Sequence, residues 1–446
     1  MNSLIMSMSG TRGVVGGTLT PEVSLNTGLA FGSFWKSGTI VVGGDTRTSH
    51  DTFKAALISG LLATGLDVID IGRVTTPTVQ QMIHRFKAVA GVVVTASHNP
   101  VIWNGLKLMN GSGSFLEDHE YAEFKAIYDS QLWRLADWGN QGKLTVDLTA
   151  IDAHVDKILD LIDVSAIRSA GLRVLIDANH GAGAVADPVL LTKLGVEFDI
   201  INGEPSGVFA HDPEPLEKNL SEIKGKLAQG GYDIGFVQDA DADRLVILDE
   251  TGRFIGEDYS LAFCVDHILS IESQENPVVV VNLSTSRILE WVTNRYDGQV
   301  IYTKIGESHV TQGIKSNQAV VGGEGNGGVI YPRIGWGRDS LVGIVIALAH
   351  LAAKKKSVSE IISTYPQYTM IRDKISVVTR DDVAHAIGEI RNRFSGYTHD
   401  ETDGVKVTLP NGWVHVRPSN TEPIVRIFVE GDSPSIAQEL MKKAQL

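Results

Sequence analysis

At 446 residues the chain is too long for one ordinary core, and its 43% apolar and 21% charged residues are a globular composition, so three or four domains are expected. A net charge of −14 argues against a nucleic-acid or anionic-membrane surface as the main partner, although a basic pocket can sit inside an acidic protein. Cys264 is the single cysteine, so no intrachain disulfide can form, and a reducing, cytoplasmic location is expected.

The first stretch, "MNSLIMSMSGTRGVVGG", lacks a charged segment followed by a long apolar one, so no signal peptide is expected. No run of 18 apolar residues follows, so no membrane span is expected either. From Thr39 the chain reads as strand "TIVVGGDTR", helix "TFKAALISGLLATG", strand "LDVIDIG", then a further apolar strand, "AGVVV", running into "TASHNP". The same order returns from Leu172: "LRVLIDANHGAG", "AVADPVLLTKLG", "VEFDIIN", then "YDIGFVQ" running into "DADADR". It returns again from Asn276: "NPVVVVNLSTSR", "RILEWVTNRYDG", "QVIYTKIG", then "QAVV" running into "GGEGNGG". Three α/β units with buried, mostly parallel strands are therefore expected, over 1–150, 151–250 and 251–367. The pattern changes after about Tyr365. Locally paired, alternating strands and two helices predict an α+β domain over 368–446.

Three equivalent strand ends thus carry three different polar loops. Ligands collect beyond the carboxyl ends of strands in open α/β sheets, so three such units around one cleft would bring the loops together. "DADADR" places Asp239, Asp241 and Asp243 at alternate positions, where they repel one another unless a cation sits among them. Hard oxygen ligands suit Mg²⁺ or Ca²⁺. An EF-hand is a rival, with Glu250 at the twelfth position, but Arg244 stands where that loop needs glycine. A solvated acidic turn is the bland alternative. Arg244 would suit a phosphate beside the metal. "GGEGNGG" offers only Glu324 and Asn326, a carboxylate and an amide that suit sugar hydroxyls, against the alternative of a flexible turn. "RPSNTEP" holds Arg417, Ser419, Asn420 and Thr421, with Arg426 further on; these would cradle a phosphate, or form a polar hairpin turn. Ser97 in "TASHNP" lacks the G-x-S-x-G elbow of a serine hydrolase, and His98, its immediate neighbour, has awkward geometry for a base on that hydroxyl. A structural turn remains open. With a cation, a phosphate cradle and a sugar-contacting loop elsewhere in the chain, the loops point to phosphoryl transfer with Ser97 as the carrier.

Together "TASHNP", "DADADR", "GEGNG" and "RPSNTEP", in this order over nearly the whole chain, resemble the α-D-phosphohexomutase family. Weaker matches are "SGTRG" from Ser9, "GGDTR" with Asp45 and Arg47, and "NGLK" ending in Lys107. The resemblance implies three similar mixed or mostly parallel α/β domains around a central cleft, plus a C-terminal α+β domain. It implies that Ser97 is phosphorylated in the active enzyme and that Mg²⁺ binds Asp239, Asp241, Asp243 and the Ser97 phosphate. The phosphoryl group would pass to a hexose phosphate, giving a hexose 1,6-bisphosphate that turns over and returns its other phosphate. Arg12, Lys107 and His98 would orient the serine or assist proton transfer, and "RPSNTEP" would hold the phosphate that is not reacting.

The chain departs from the pattern in places. Many relatives end the sugar loop in Ser-Gly-His, where this chain has Asn326, Gly327 and Gly328. Glu307, in "TKIGE", stands where relatives vary between acidic residues and histidine. Ala240 and Ala242 replace frequent glycines and are expected to matter little. The sugar loop resembles that of archaeal-type phosphoglucosamine mutases and their bacterial relatives, and a pocket carboxylate would favour a cationic 2-amino group. Glucosamine phosphates are the expected substrates, with glucose and mannose phosphates as the alternative and a non-catalytic sugar-phosphate binding protein as the rival of another class.

Overall fold

Runs rich in Val and Ile become central strands because parallel sheets are covered by helices and lose water from both faces. The computed structural model describes residues 4–376, 380–418 and 424–445, and within them four sheets follow one another along the chain. The first three repeat one arrangement. Thr39–Gly44, Arg173–Asp177 and Val278–Asn282 are the central strands. Each pairs in parallel with the next strand on one side, Asp67–Arg73, Glu197–Ile201 or Gln299–Thr303. On the other side it pairs, again in parallel, with Ala90–Val94, Ile234–Gln238 or Val321–Glu324. A fourth strand then returns antiparallel: Trp103–Asn110, Leu245–Leu248 or Gly328–Ile330. The three polar loops are therefore one and the same connection, the reversal between the third and fourth strands of each unit.

Such reversals need left-handed backbone. Ser97 has φ 50°, Ala242 φ 55° and Gly327 φ 89°. Only glycine adopts this region freely; an L-residue pays about 1–2 kcal/mol there. Ala242 is thus not the neutral replacement expected of it. Its Cβ strains the acidic turn, and something must hold the turn in place.

The first sheet is extended to seven strands by Ile5–Ser7 and Gly10–Val14 at one edge and Leu144–Val146 at the other. The helix Ser340–Lys354 is apolar nearly all round and buried over most of its length, and Asp339 caps it by accepting from the Leu341 and Val342 amides. One apolar cluster runs from Val41 and Val79 through Ile176 and Leu190 to Val281 and Leu348, so the first three units share a core. The last unit is a five-stranded antiparallel sheet with its own core, carrying the helices Arg380–Arg393 and Pro434–Ala444. Among the described residues no helix is long and apolar enough to cross a membrane.

Candidate active site

The loop carrying Ser97 is built around a buried arginine. Asp45 receives Arg47 Nε at 3.1 Å and Thr95 Oγ1 at 2.6 Å. The rest of the Arg47 guanidinium donates to the carbonyls of Ser97 (2.7 Å), Asn99 (2.7 Å), Pro100 (3.0 Å) and Trp103 (2.8 Å). Thr95 Oγ1 also accepts from the Ser97 amide at 2.8 Å. The left-handed Ser97 is therefore fixed through its backbone, and its buried hydroxyl is left to face Asp239. The ammonium of a lysine cannot reach four carbonyls in a plane. Arg47→Lys is expected to lower the unfolding free energy by about 1–3 kcal/mol, measured by denaturant titration, and to reduce turnover through a loosened loop.

Ser97 Oγ lies 3.2 Å from Asp239 Oδ2. Asp239, Asp241 and Asp243 are all buried and offer ligand atoms within 4.8 Å of one another. Asp239 Oδ1 accepts from the Asp243 and Arg244 amides at 3.1 Å each, which closes the turn. Asp241 Oδ1 and Asp243 Oδ1 find no hydrogen-bond partner among the described residues. Buried carboxylate oxygens left bare are costly, and a hard divalent cation would satisfy both, so the donor set fits one. Glu250 takes no part. It accepts from the Ser359 amide at 3.2 Å at a helix start, which removes the EF-hand reading.

Cations crowd the triad. Lys107 Nζ donates to Asp241 Oδ2 at 2.5 Å and to Asp243 Oδ2 at 2.7 Å, and Thr76 Oγ1 donates to Asp241 Oδ2 as well. Burial, followed by Asp243 and Asp241, pushes the Asp239 carboxyl well above the usual range. Burial works against charge on Asp243 too, but Arg338, Lys107 and Arg244 overcome it and hold that carboxyl below the usual range. Burial opposes the Lys107 ammonium, yet Asp241 and Asp243 keep its pKa raised. Arg12 Nη1 donates to Asn99 Oδ1 at 3.0 Å, beside the serine. Arg244 Nη2 lies 3.0 Å from His98 Nδ1, and burial, Arg244 and Arg12 lower the His98 pKa well below its ordinary value. A neutral His98 that accepts from Arg244 has no free lone pair on Nδ1 for the serine, whose Oγ is 3.5 Å away.

Arg338 joins the acidic loop to the sugar loop. Its guanidinium reaches Asp243 Oδ2 (3.0 Å), Glu307 Oε2 (2.8 Å), Asn326 Oδ1 (3.2 Å) and Glu324 Oε2 (3.0 Å). Glu324 Oε1 accepts from Asn282 Nδ2 and the Gly306 amide. Glu307 opens the helix Glu307–Asn317, is buried, and receives Gln80 Nε2 at 3.3 Å. Burial raises its pKa; Arg338 opposes the shift and Asp243 adds to it. Arg338 carries no sequence signal. It follows a glycine ahead of a capping aspartate, and nothing local marks it as part of a site.

The last unit reaches the same place. Arg417 is buried and donates through Nε to Asp403 Oδ2 at 3.0 Å, and that oxygen also accepts from the Ile305 amide, two residues before Glu307. Arg372 donates to Glu257 and, at 3.3 Å, to the Gly325 carbonyl of the sugar loop. Lys374, Arg426 and Arg417 stand side by side across three strands. This concentration of positive charge at one end of the sheet suits an anion. Ser419, Asn420 and Thr421 lie outside the described residues.

Four family models match the chain in order. They are phosphoglucomutase/phosphomannomutase alpha/beta/alpha domains I (residues 4–134), II (152–252) and III (256–368), and the C-terminal domain (374–444). A phosphoglucomutase/phosphomannomutase of Thermococcus kodakarensis is 37% identical over 440 residues, covering 97% of this chain and 96% of its own length. A probable phosphoglucosamine mutase of Methanopyrus kandleri is also 37% identical, covering 97% and 95%. The crystal structure of a phosphoglucomutase/phosphomannomutase family protein from Burkholderia thailandensis superposes with a TM-score of 0.85 at 25% identity, covering 98% of this chain and 96% of that one. Four domains matched in order and full-length relatives above 30% identity make this chain a member of the phosphoglucomutase/phosphomannomutase family, the α-D-phosphohexomutases.

Proposed function

We propose that the chain interconverts hexose 6-phosphates and hexose 1-phosphates through a phosphoserine at Ser97 and a hexose 1,6-bisphosphate, with glucosamine 6-phosphate and glucosamine 1-phosphate as the preferred pair. The observation that carries this reading is the Ser97 hydroxyl 3.2 Å from Asp239, at the edge of a buried carboxylate triad ringed by Lys107, Arg244 and Arg338. Asp239, Asp241 and Asp243 would hold Mg²⁺, with an oxygen of the Ser97 phosphate completing the set. When bound, the ion supplies positive charge against the transferring phosphoryl group.

The chain's own residues do the rest. The bond from phosphorus to Ser97 Oγ breaks and a bond to a sugar hydroxyl forms, and the hydroxyl proton must leave. Glu307, a buried carboxyl whose pKa is raised, is the group suited to take it and later return it. Arg12 and Lys107 stay cationic and balance the three phosphoryl oxygens. Arg244, whose Nε is buried without a partner among the described residues, would orient the same group. Glu324 and Asn326 would read sugar hydroxyls. Reorientation of the bisphosphate exchanges the two ends, and the second phosphate returns to Ser97.

Arg417, with Ser419, Asn420, Thr421 and Arg426, would hold the phosphate that is not reacting. A charge-assisted contact of this kind is worth about 1.5–3 kcal/mol, so Arg417→Ala is expected to raise KM by about one to two orders of magnitude with every hexose phosphate. Steady-state kinetics on two epimeric sugars check it: an effect on one sugar alone would place Arg417 on hydroxyls instead.

One observation favours a second reading for the sugar. Glu324 is already paired with Arg338 at 3.0 Å and accepts from Asn282 and Gly306, so it offers no lone charge to a 2-amino group. That suits glucose and mannose phosphates, as in the phosphoglucomutase/phosphomannomutase relative. Comparing kcat/KM for the 1-phosphates of glucosamine, glucose and mannose decides between the two readings, and activity on none of them overturns both.

A further inference from the structure

Directly behind the acidic loop lies a carboxyl group that the proposed chemistry does not use. Asp187 is fully buried within the helix Gly183–Leu194, facing Gln238, the last residue of its strand and the neighbour of Asp239. The Gln238 amide can stand only one way round. Ser340 Oγ gives its single proton to the Ala242 carbonyl at 2.6 Å, so it must accept from Gln238 Nε2 at 2.9 Å. The second Nε2 proton goes to Asp187 Oδ1 at 3.1 Å. Gln238 Oε1 and Asp187 Oδ2 then remain, both buried and both without a partner among the described residues. They border one small space: a Cβ built on Gly183 would meet Gln238 Oε1 at 1.9 Å and Asp187 Oδ2 at 2.9 Å. Two such acceptors side by side lack one proton between them.

We propose that Asp187 is a neutral carboxylic acid whose Oδ2 proton is donated to Gln238 Oε1, and that through Gln238 and Ser340 it positions the Ala242 carbonyl and so the turn bearing Asp241 and Asp243. The turn needs such a hold, because Ala242 is the strained left-handed residue at its centre. Burial raises the Asp187 pKa to about 8, opposed only by the Gln238 hydrogen bond. Among the described residues no cation competes for it. On the adjoining helix Ala150–Leu159, Asp152 and Asp156 pair with Lys193, Lys157 donates to Gln81 and the Ile334 carbonyl, and His154 lies between Thr78 and Asp339. Arg168, from the helix Val164–Ser169, donates to the Leu194 and Lys193 carbonyls. On the helix Ser340–Lys354, His350 faces Phe263 and His267. Asp199, on the strand Glu197–Ile201, pairs with Arg173.

The positioning role rests on reading the triad as the metal site; the protonation does not. The two parts are tested separately, on the full-length enzyme. Infrared difference spectra of the wild type are expected to show a protonated-carboxyl C=O stretch that fades as pH rises through about 8 and is missing from Asp187→Asn. Absence of that band overturns the protonation whatever the metal does. Asn donates to Gln238 Oε1 as the acid does, so Asp187→Asn is expected to keep turnover within about twofold at neutral pH and, unlike the wild type, to hold it at a pH about one unit above the midpoint. A folded Asp187→Asn that loses about tenfold or more at neutral pH would show that a carboxylate is needed there and overturn the proposal. Asp187→Leu, which leaves Gln238 Oε1 bare, is expected to weaken Mg²⁺ binding about tenfold by calorimetry. Unchanged affinity in folded Asp187→Leu would overturn the positioning role. If that variant does not fold, the pH profiles of the wild type and Asp187→Asn decide the question alone.

Discussion

Ser97→Ala is expected to fold like the wild type and to lose at least about three orders of magnitude in turnover, as nucleophile removal does where a residue acts as a covalent carrier. The fold should persist because what fixes this residue is backbone. Its amide donates to Thr95 Oγ1, its carbonyl accepts from Arg47, and alanine meets the same left-handed strain as serine. The substitution removes the hydrogen bond that the hydroxyl donates to Asp239. Binding of a hexose phosphate should survive, since Glu324, Asn326 and Arg417 are untouched. Circular dichroism, thermal unfolding and a binding isotherm beside the kinetics would separate these effects. A Ser97→Ala enzyme with wild-type turnover would remove the phosphoserine from the mechanism.

Asp241→Asn is expected to lower turnover by about two orders of magnitude or more and to weaken Mg²⁺ binding markedly. Asp241 has two tasks. Its Oδ1 is buried without a hydrogen-bond partner among the described residues, and its Oδ2 receives Lys107 and Thr76. An amide can still accept from Thr76, but it carries no charge for the metal or for Lys107. The Lys107 pKa, held up against burial by Asp241 and Asp243, should fall as the Asp241 charge disappears. The ammonium would then be lost at a lower pH, so the variant's remaining activity should decline earlier on the alkaline side. Partial recovery at high Mg²⁺ would identify the defect as one of metal affinity. Wild-type activity in a chelator, by contrast, would rule out a catalytic cation.

The loops were legible because each is a local break in a pattern. Valine-rich strands that run into Ser-His-Asn, Asp-Ala-Asp or Gly-Glu-Gly leave their mark on consecutive residues. The threefold repeat was legible for the same reason, although not the return of the fourth strand antiparallel, which follows from left-handed turns at Ser97, Ala242 and Gly327 that composition does not reveal at the two non-glycine positions. What stayed hidden comes from distant stretches of chain. Thr76 and Gln80, on one helix of the first unit, reach Asp241 and Glu307 through contacts that only the shared core creates. Arg338 touches Asp243, Glu307, Glu324 and Asn326 at once, but in sequence it is one basic residue before a helix cap. Asp187 is, in sequence, a lone carboxylate in a mostly apolar helix, and its complete burial against Gln238 belongs to the folded state. Asp45 and Arg47 were recognisable only as a family match, and their physical task, locking the Ser97 loop through its carbonyls, belongs to the folded state.

Whether Ser97 carries the phosphoryl group between the two sugar positions is decided most directly by mass spectrometry of the enzyme before and after substrate. Protein incubated with a hexose 1,6-bisphosphate should gain one phosphoryl group, mapped to Ser97 by peptide fragmentation. Addition of the matching hexose 6-phosphate should discharge it at a rate no slower than turnover, with hexose bisphosphate appearing in solution. A protein that turns over hexose phosphates while Ser97 stays unmodified, or whose Ser97 phosphate is inert to the sugar, would contradict the mechanism.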